Sequence, residues 1–78
     1  MKANMEDLME ILRDLRPDVD FETETALIDD GILGSFEITA LVNEIMDEFD
    51  IEISMADLEP ENFNSAQAIW EYIQSQMN

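Results

Sequence analysis

Ile38, Leu41, Val42, Ile45 and Phe49 recur at offsets of 0, 3, 4, 7 and 11 residues, and this stripe constrains the fold more than any other feature of the chain. Such spacing lays apolar side chains along one side of an α-helix, whereas a strand would require alternation at two. Glu37, Glu44, Asp47 and Glu48 fall largely off the stripe, so a helix over 35–49 has an apolar side and an acidic side. Met46 lies alongside the stripe.

Further stripes supply the partners such a helix needs. Met5, Leu8, Met9, Leu12 and Leu15 predict a helix over about 4–15, with Asn4 as N-cap, Glu6 and Asp7 in its first turn and Arg13 and Arg16 in its last. Pro17 stops it. Ser54 with Asp57 three residues on suggests a capping box and a short third helix over about 55–59, which Pro60 ends. Asn64, followed by Gln67, opens a last helix over about 65–77, whose inward stripe is Ala66, Ile69, Trp70, Ile73 and Met77. Residues 17–34 show no sustained period, yet they carry Val19, Phe21, Leu27, Ile28, Ile32 and Leu33, so this long connection is functional or packed on the core. Asp50 to Ile53 alternates and predicts a short extended stretch burying Ile51 and Ile53. Met5, Met9, Met46, Met55 and Met77 fall on or near inward stripes and read as flexible core filler, and Trp70 as core. The expected fold is all-α: one domain over residues 1–78, a small four-helix bundle with a long loop between helices 1 and 2 and a short third helix.

Charge narrows the function. The chain has 78 residues, with 20 Asp or Glu against 3 Lys or Arg, for a net charge of −17. Nucleic acid and anionic membrane are poor partners for such a surface, because phosphate contacts require cations. Disorder is also a poor reading, since 46% of the residues are hydrophobic. All three cations (Lys2, Arg13, Arg16) lie in the first 16 positions, so residues 17–78 carry acids alone. Self-repulsion of that size opposes folding and points to a surface with a task. With no Cys and no His, the chain lacks a thiolate nucleophile, a disulfide and the usual general base. No apolar run approaches the ~20 residues of a membrane span. The opening MKANMEDLME has no signal-peptide core, so the expected compartment is the cytoplasm. The chain is expected to be a monomer.

The acids do not spell a metal or catalytic site. An EF-hand loop begun at Asp18 places Thr23 where the turn needs Gly, and Asp29 where a bidentate Glu belongs. Asp29 and Asp30 before Gly31 read as a turn rather than a catalytic pair. Enzyme activity and a metal site are not expected. What remains is the junction Gly31-Ile32-Leu33-Gly34-Ser35-Phe36 at the start of the best-patterned helix. Ser35 is either an ordinary N-cap or, if Gly34 caps, the first helical residue with its hydroxyl outward. In the second case a phosphate ester on Ser35 would face free N–H groups and the positive end of the helix dipole. Spacing leaves both open.

The run from Leu27 to Ile38, continuing through Glu48-Phe49-Asp50-Ile51-Glu52-Ile53, resembles the phosphopantetheine-dependent carrier proteins, and is most similar to stand-alone acyl carriers and D-alanyl carrier proteins. The resemblance extends over roughly residues 5–77 and departs at Gly34, where the family often has Asp. It implies that Ser35 is the attachment point for 4'-phosphopantetheine, transferred from coenzyme A by a phosphopantetheinyl transferase using Mg²⁺. The chain would then hold an acyl or aminoacyl group as a thioester, loaded by an adenylate-forming ligase, an acyltransferase or a synthase. The resemblance gives Phe36, Glu37, Glu44, Asp47 and Glu48 the role of docking against basic patches on those partners. Charges of this kind are otherwise read as a solvated helix face. Fatty-acid carriers suggest a pliable core that admits an acyl chain, which an aminoacyl carrier does not require. The competing class is an unmodified acidic interaction module, for instance a nucleic-acid mimic seated on a basic partner surface, which accounts for the charge but gives no reason for the Gly-Ser helix start.

Overall fold

The computed structural model describes residues 4–77, so the expected domain ends at 1–3 and 78 lie outside the described residues. The elements are α1 (Met5–Leu15), α2 (Ser35–Phe49), a 3₁₀ turn (Met55–Asp57), α3 (Pro60–Phe63) and α4 (Ala66–Met77). The protein is an all-helical bundle in which α1 packs on α2 and α4, and α3 packs on α4.

Each helix starts for a local reason. Asn4 and Asp7 cap α1 reciprocally: the Asp7 amide donates to Asn4 Oδ1 at 3.2 Å and the Asn4 amide to Asp7 Oδ2 at 2.9 Å. The expected third helix over 55–59 is a single 3₁₀ turn, capped by Ser54 Oγ, and α3 follows it. Pro60 opens α3 instead of ending a helix. At the first helical position proline has no hydrogen bond to lose and its φ is preset. Ser65, not Asn64, caps α4, its Oγ accepting from the Ala68 amide at 3.0 Å. Asp57 leaves its expected capping box incomplete and instead accepts from Tyr72 Oη at 2.7 Å, tying the 3₁₀ turn to α4. Burial and that carboxylate push the Tyr72 phenol up to about 12. The neutral phenol thus favours the fold fully below its ordinary pKa of about 10, and the contribution is lost as pH rises through about 12.

The core joins the helical stripes to the long connection. Leu8, Leu12, Leu41, Ile45, Ile69 and Ile73 are wholly buried, and from the 17–34 segment so is Leu27, with Phe21 and Leu33 nearly so. Val19, Ile28 and Ile32 pack against that core, as do Ile51 and Ile53, which are half-buried in irregular backbone. Trp70 is also half-buried, edge-on to Phe49 with ring centroids 5.8 Å apart. The methionines divide. Met9 is buried and Met5 packs on the core, but Met55 and Met77 are exposed, so these two are not core filler. Among the described residues no Asp, Glu, Lys or Arg is buried, which puts the acids on the surface. The radius of gyration is 11.3 Å, against about 11.5 Å for a compact chain of this length. No described helix is long and apolar enough to cross a membrane.

Candidate functional site at the start of the second helix

Three ties deliver the chain to Ser35. Arg16, at the end of α1, grips Asp18 through Nε at 3.1 Å and Nη2 at 2.9 Å, and donates from Nη1 to the Ile32 carbonyl at 2.6 Å. The ion pair raises the Arg16 pKa and holds the Asp18 carboxyl below its ordinary value, chiefly through their hydrogen bond. Further along, Asn64 holds residues 27–29. Finally the Leu33 amide donates to the Leu27 carbonyl at 3.0 Å and the Leu33 side chain is buried, which fixes the last step before the helix.

Gly34 is the N-cap of α2 and Ser35 its first residue. Of the two sequence readings, Ser35 as N-cap is therefore set aside. The reason is Glu37, whose Oε1 accepts from the Gly34 amide at 3.0 Å and closes the end from the third helical position. The Gly34 carbonyl receives the Ile38 amide at 2.8 Å, the first bond of the helix. No capping duty falls on the Ser35 hydroxyl, and the residue is exposed. Phe36 beside it is 81% exposed, an uncovered aromatic ring next to a free hydroxyl. A Cβ built on Gly34 would lie 3.0 Å from Glu37 Oε1, so the glycine and the returning carboxylate fit together.

The expected docking acids separate into two sets. Glu37 is half-buried and occupied at the cap. Glu44, Asp47 and Glu48 are exposed and line a cleft of about 200 Å³ between α2 and α1. From α1 the cleft is lined by Asp7, Glu10, Ile11 and Asp14. These three acids were not singled out from the sequence, although their spacing of 0, 3 and 7 puts them on one side of α1. Among the described residues no cation lines the cleft. Arg13 is engaged elsewhere, with Glu6 at 3.2 Å and Glu22 at 3.6 Å. Among the described residues no group of three or more acids is arranged to hold a metal ion. The acids of the long connection serve the backbone and its ties: Asp18 pairs with Arg16, Asp20 Oδ1 accepts from the Glu22 amide, and Asp29 accepts from Asn64.

No family model, curated protein or solved structure matches the chain.

Proposed function

We propose that the protein is a carrier, modified on Ser35 by 4'-phosphopantetheine and holding an acyl or aminoacyl group as a thioester for delivery between cytoplasmic enzymes. The observation that carries this reading is the N-terminal turn of α2, where Glu37 and Gly34 complete the cap and leave the Ser35 hydroxyl exposed and unemployed.

The residues suit the group. Ser35 Oγ forms the bond to the phosphorus that bears the pantetheine arm, the nucleotide half of coenzyme A leaves, and the serine proton passes to the transferase or to water. The resulting phosphodiester keeps one negative charge. The first N–H groups of α2 have no carbonyl partner within the helix and offset that charge on a chain otherwise poor in cations. When bound, the arm supplies the thiol that a chain with no Cys cannot provide. Ser35 anchors and orients the group and catalyses nothing. Loading and transfer belong to partners: a phosphopantetheinyl transferase, then an adenylate-forming ligase, acyltransferase or synthase. Phe36 offers those partners an apolar anchor beside the attachment point, and Glu44, Asp47 and Glu48 offer charge for basic docking patches. Electrostatic steering suits a monomer that must meet several enzymes quickly and leave again.

An unmodified acidic module would use the same cleft between α1 and α2, but would leave the Ser35–Phe36 pair without a task. Intact-mass measurement after incubation with coenzyme A and a broad-specificity transferase distinguishes the two. The expected result is addition of one phosphopantetheine, abolished in Ser35→Ala. No addition with several transferases sinks the carrier reading.

A further inference from the structure

Asn64 lies at the corner between α3 and α4, far in sequence from the junction, and almost every polar atom it has is used. Its Oδ1 accepts from the amides of Ile28 at 2.9 Å and Asp29 at 3.1 Å, and its Nδ2 donates to Asp29 Oδ2 at 3.0 Å. Its carbonyl accepts from the Leu27 amide at 2.9 Å, and its own amide donates to Pro60 at 2.8 Å. Two amides facing one atom require that atom to be the oxygen, which fixes the orientation of the side chain. Leu27, held in this way, in turn receives the Leu33 amide through its carbonyl at 3.0 Å, and Leu33 precedes Gly34 and Ser35. A continuous set of hydrogen bonds and buried side chains thus runs from the α3–α4 corner to the start of α2.

We infer that Asn64 is a positioning residue for Ser35: with Asp29 it clamps residues 27–29 and thereby sets how the Gly34–Ser35 step is presented to a modifying enzyme. The inference rests on the carrier reading for its functional half only. Arg16 restrains Ile32 and makes no hydrogen bond to residues 27–29, so the two restraints are separable.

The pair permits an exchange test. Asn64→Ala removes the clamp. Asn64→Asp keeps the acceptor for both amides but sets a carboxylate against Asp29. Combining Asn64→Asp with Asp29→Asn puts the amide donor at position 29 and the carboxylate at position 64, restoring one donor and one carboxylate across the pair. The probes are coenzyme A with a broad-specificity transferase, and amide hydrogen exchange, both at a temperature where every variant is folded. Exchange at Leu33 should be about tenfold faster in the two single variants, and kcat/KM for modification about tenfold lower. The double variant should recover most of both. Tyr72→Phe, which removes a hydrogen bond elsewhere in the bundle, should leave both unchanged even though it melts earlier. Wild-type exchange at Leu33 and Gly34 in Asn64→Ala overturns the proposal, as does failure of the double variant to recover. If the wild-type protein takes up no phosphopantetheine, the carrier reading falls, while exchange at Leu33 still decides the clamp.

Discussion

α1 and α2 pack against each other, yet their ends are built by opposite rules. α1 opens with the Asn4–Asp7 cap, carries Glu6 and Asp7 in its first turn, and closes with Arg13 in its last turn and Arg16 as C-cap. All of these favour the helix dipole. α2 opens on a glycine with no side chain to cap it and has no base in its last turn. That turn holds Asp47 and Glu48 instead, and Asp50 follows in the left-handed region at φ 56°. An acid near a helix C-terminus opposes the dipole by about 0.3–1 kcal/mol. Glu44 and Glu48, four apart, repel each other as well. The ends of α1 serve folding. Those of α2 expose Ser35 and Phe36 at the start and, among the described residues, acids without a cationic partner at the finish, which suits the proposed carrier.

The difference should stop at the surface. Leu12 of α1 and Leu41 of α2 are both wholly buried, so Leu12→Ala and Leu41→Ala should each cost about 2–5 kcal/mol in urea unfolding. A much smaller loss at Leu41 would mean that α2 is also poorly packed, and the contrast would no longer be one of charge.

Both helices were legible in the sequence for the same reason that their cores are alike: a stripe at helical spacing needs only local information. The long connection was legible in part, since Phe21, Leu27 and Leu33 are too apolar to be left in water and are indeed buried. Its restraint was not legible. Asn64 has the residue type of an N-cap, and nothing local shows that its partners lie at 27–29. Pro60 was misread because proline both ends helices and begins them, and only tertiary packing of Phe63 on the core decides which. Met55 and Met77 show the limit of reading stripes at the ends of elements, where one turn decides burial. At the candidate site, Ser35 could be placed only to within one residue of the cap. Glu37, three residues after Gly34, was the available signal for the cap, and its return to the Gly34 amide settles the register.

Reversing charge at the end of each helix should move stability in opposite directions. Asp47→Lys with Glu48→Lys should stabilise the protein by about 0.5–2 kcal/mol, by complementing the dipole and relieving repulsion in the cleft. Arg13→Glu should destabilise it by about 0.5–1 kcal/mol, since Arg13 pairs with Glu6 and Glu22 at a largely exposed site. The function should move against stability. The α2 variant should be loaded about tenfold more slowly at low salt, with a flatter salt dependence. Stopped-flow loading and thermal melts of the same samples check both. A stabilised α2 variant that is loaded at the wild-type rate removes Asp47 and Glu48 from the docking surface.

A smaller effect is expected at the C-cap. Asp50→Gly relieves a left-handed backbone and removes an acid from the negative end of α2, and should stabilise by about 0.5–1 kcal/mol in urea unfolding. A loss instead would show that the Asp50 side chain has a structural partner that offsets the strain.

The smallest effect belongs to the other end of α2. Gly34 has φ −78°, extended backbone open to any residue, so glycine is not required there by conformation. The obstacle is the Glu37 carboxylate, 3.0 Å from where a Cβ would lie, and it sits at the far end of a flexible side chain. Gly34→Asp therefore trades one cap for another. Glu37 gives up its bond to the Gly34 amide, while the new carboxylate can accept from the second or third amide of the helix. The two nearly cancel, leaving a gain of a few tenths of a kcal/mol by thermal melt, at about the resolution of the measurement. The informative readout is elsewhere. Releasing Glu37 frees its carboxylate near Ser35 and Phe36, and the substitution supplies the Asp that the carrier proteins the sequence resembles often have at this place. If transferase recognition depends on that residue, Gly34→Asp should be modified faster than wild type while its stability barely changes. Equal rates would show that the Gly34–Glu37 cap presents Ser35 as well as an aspartate does.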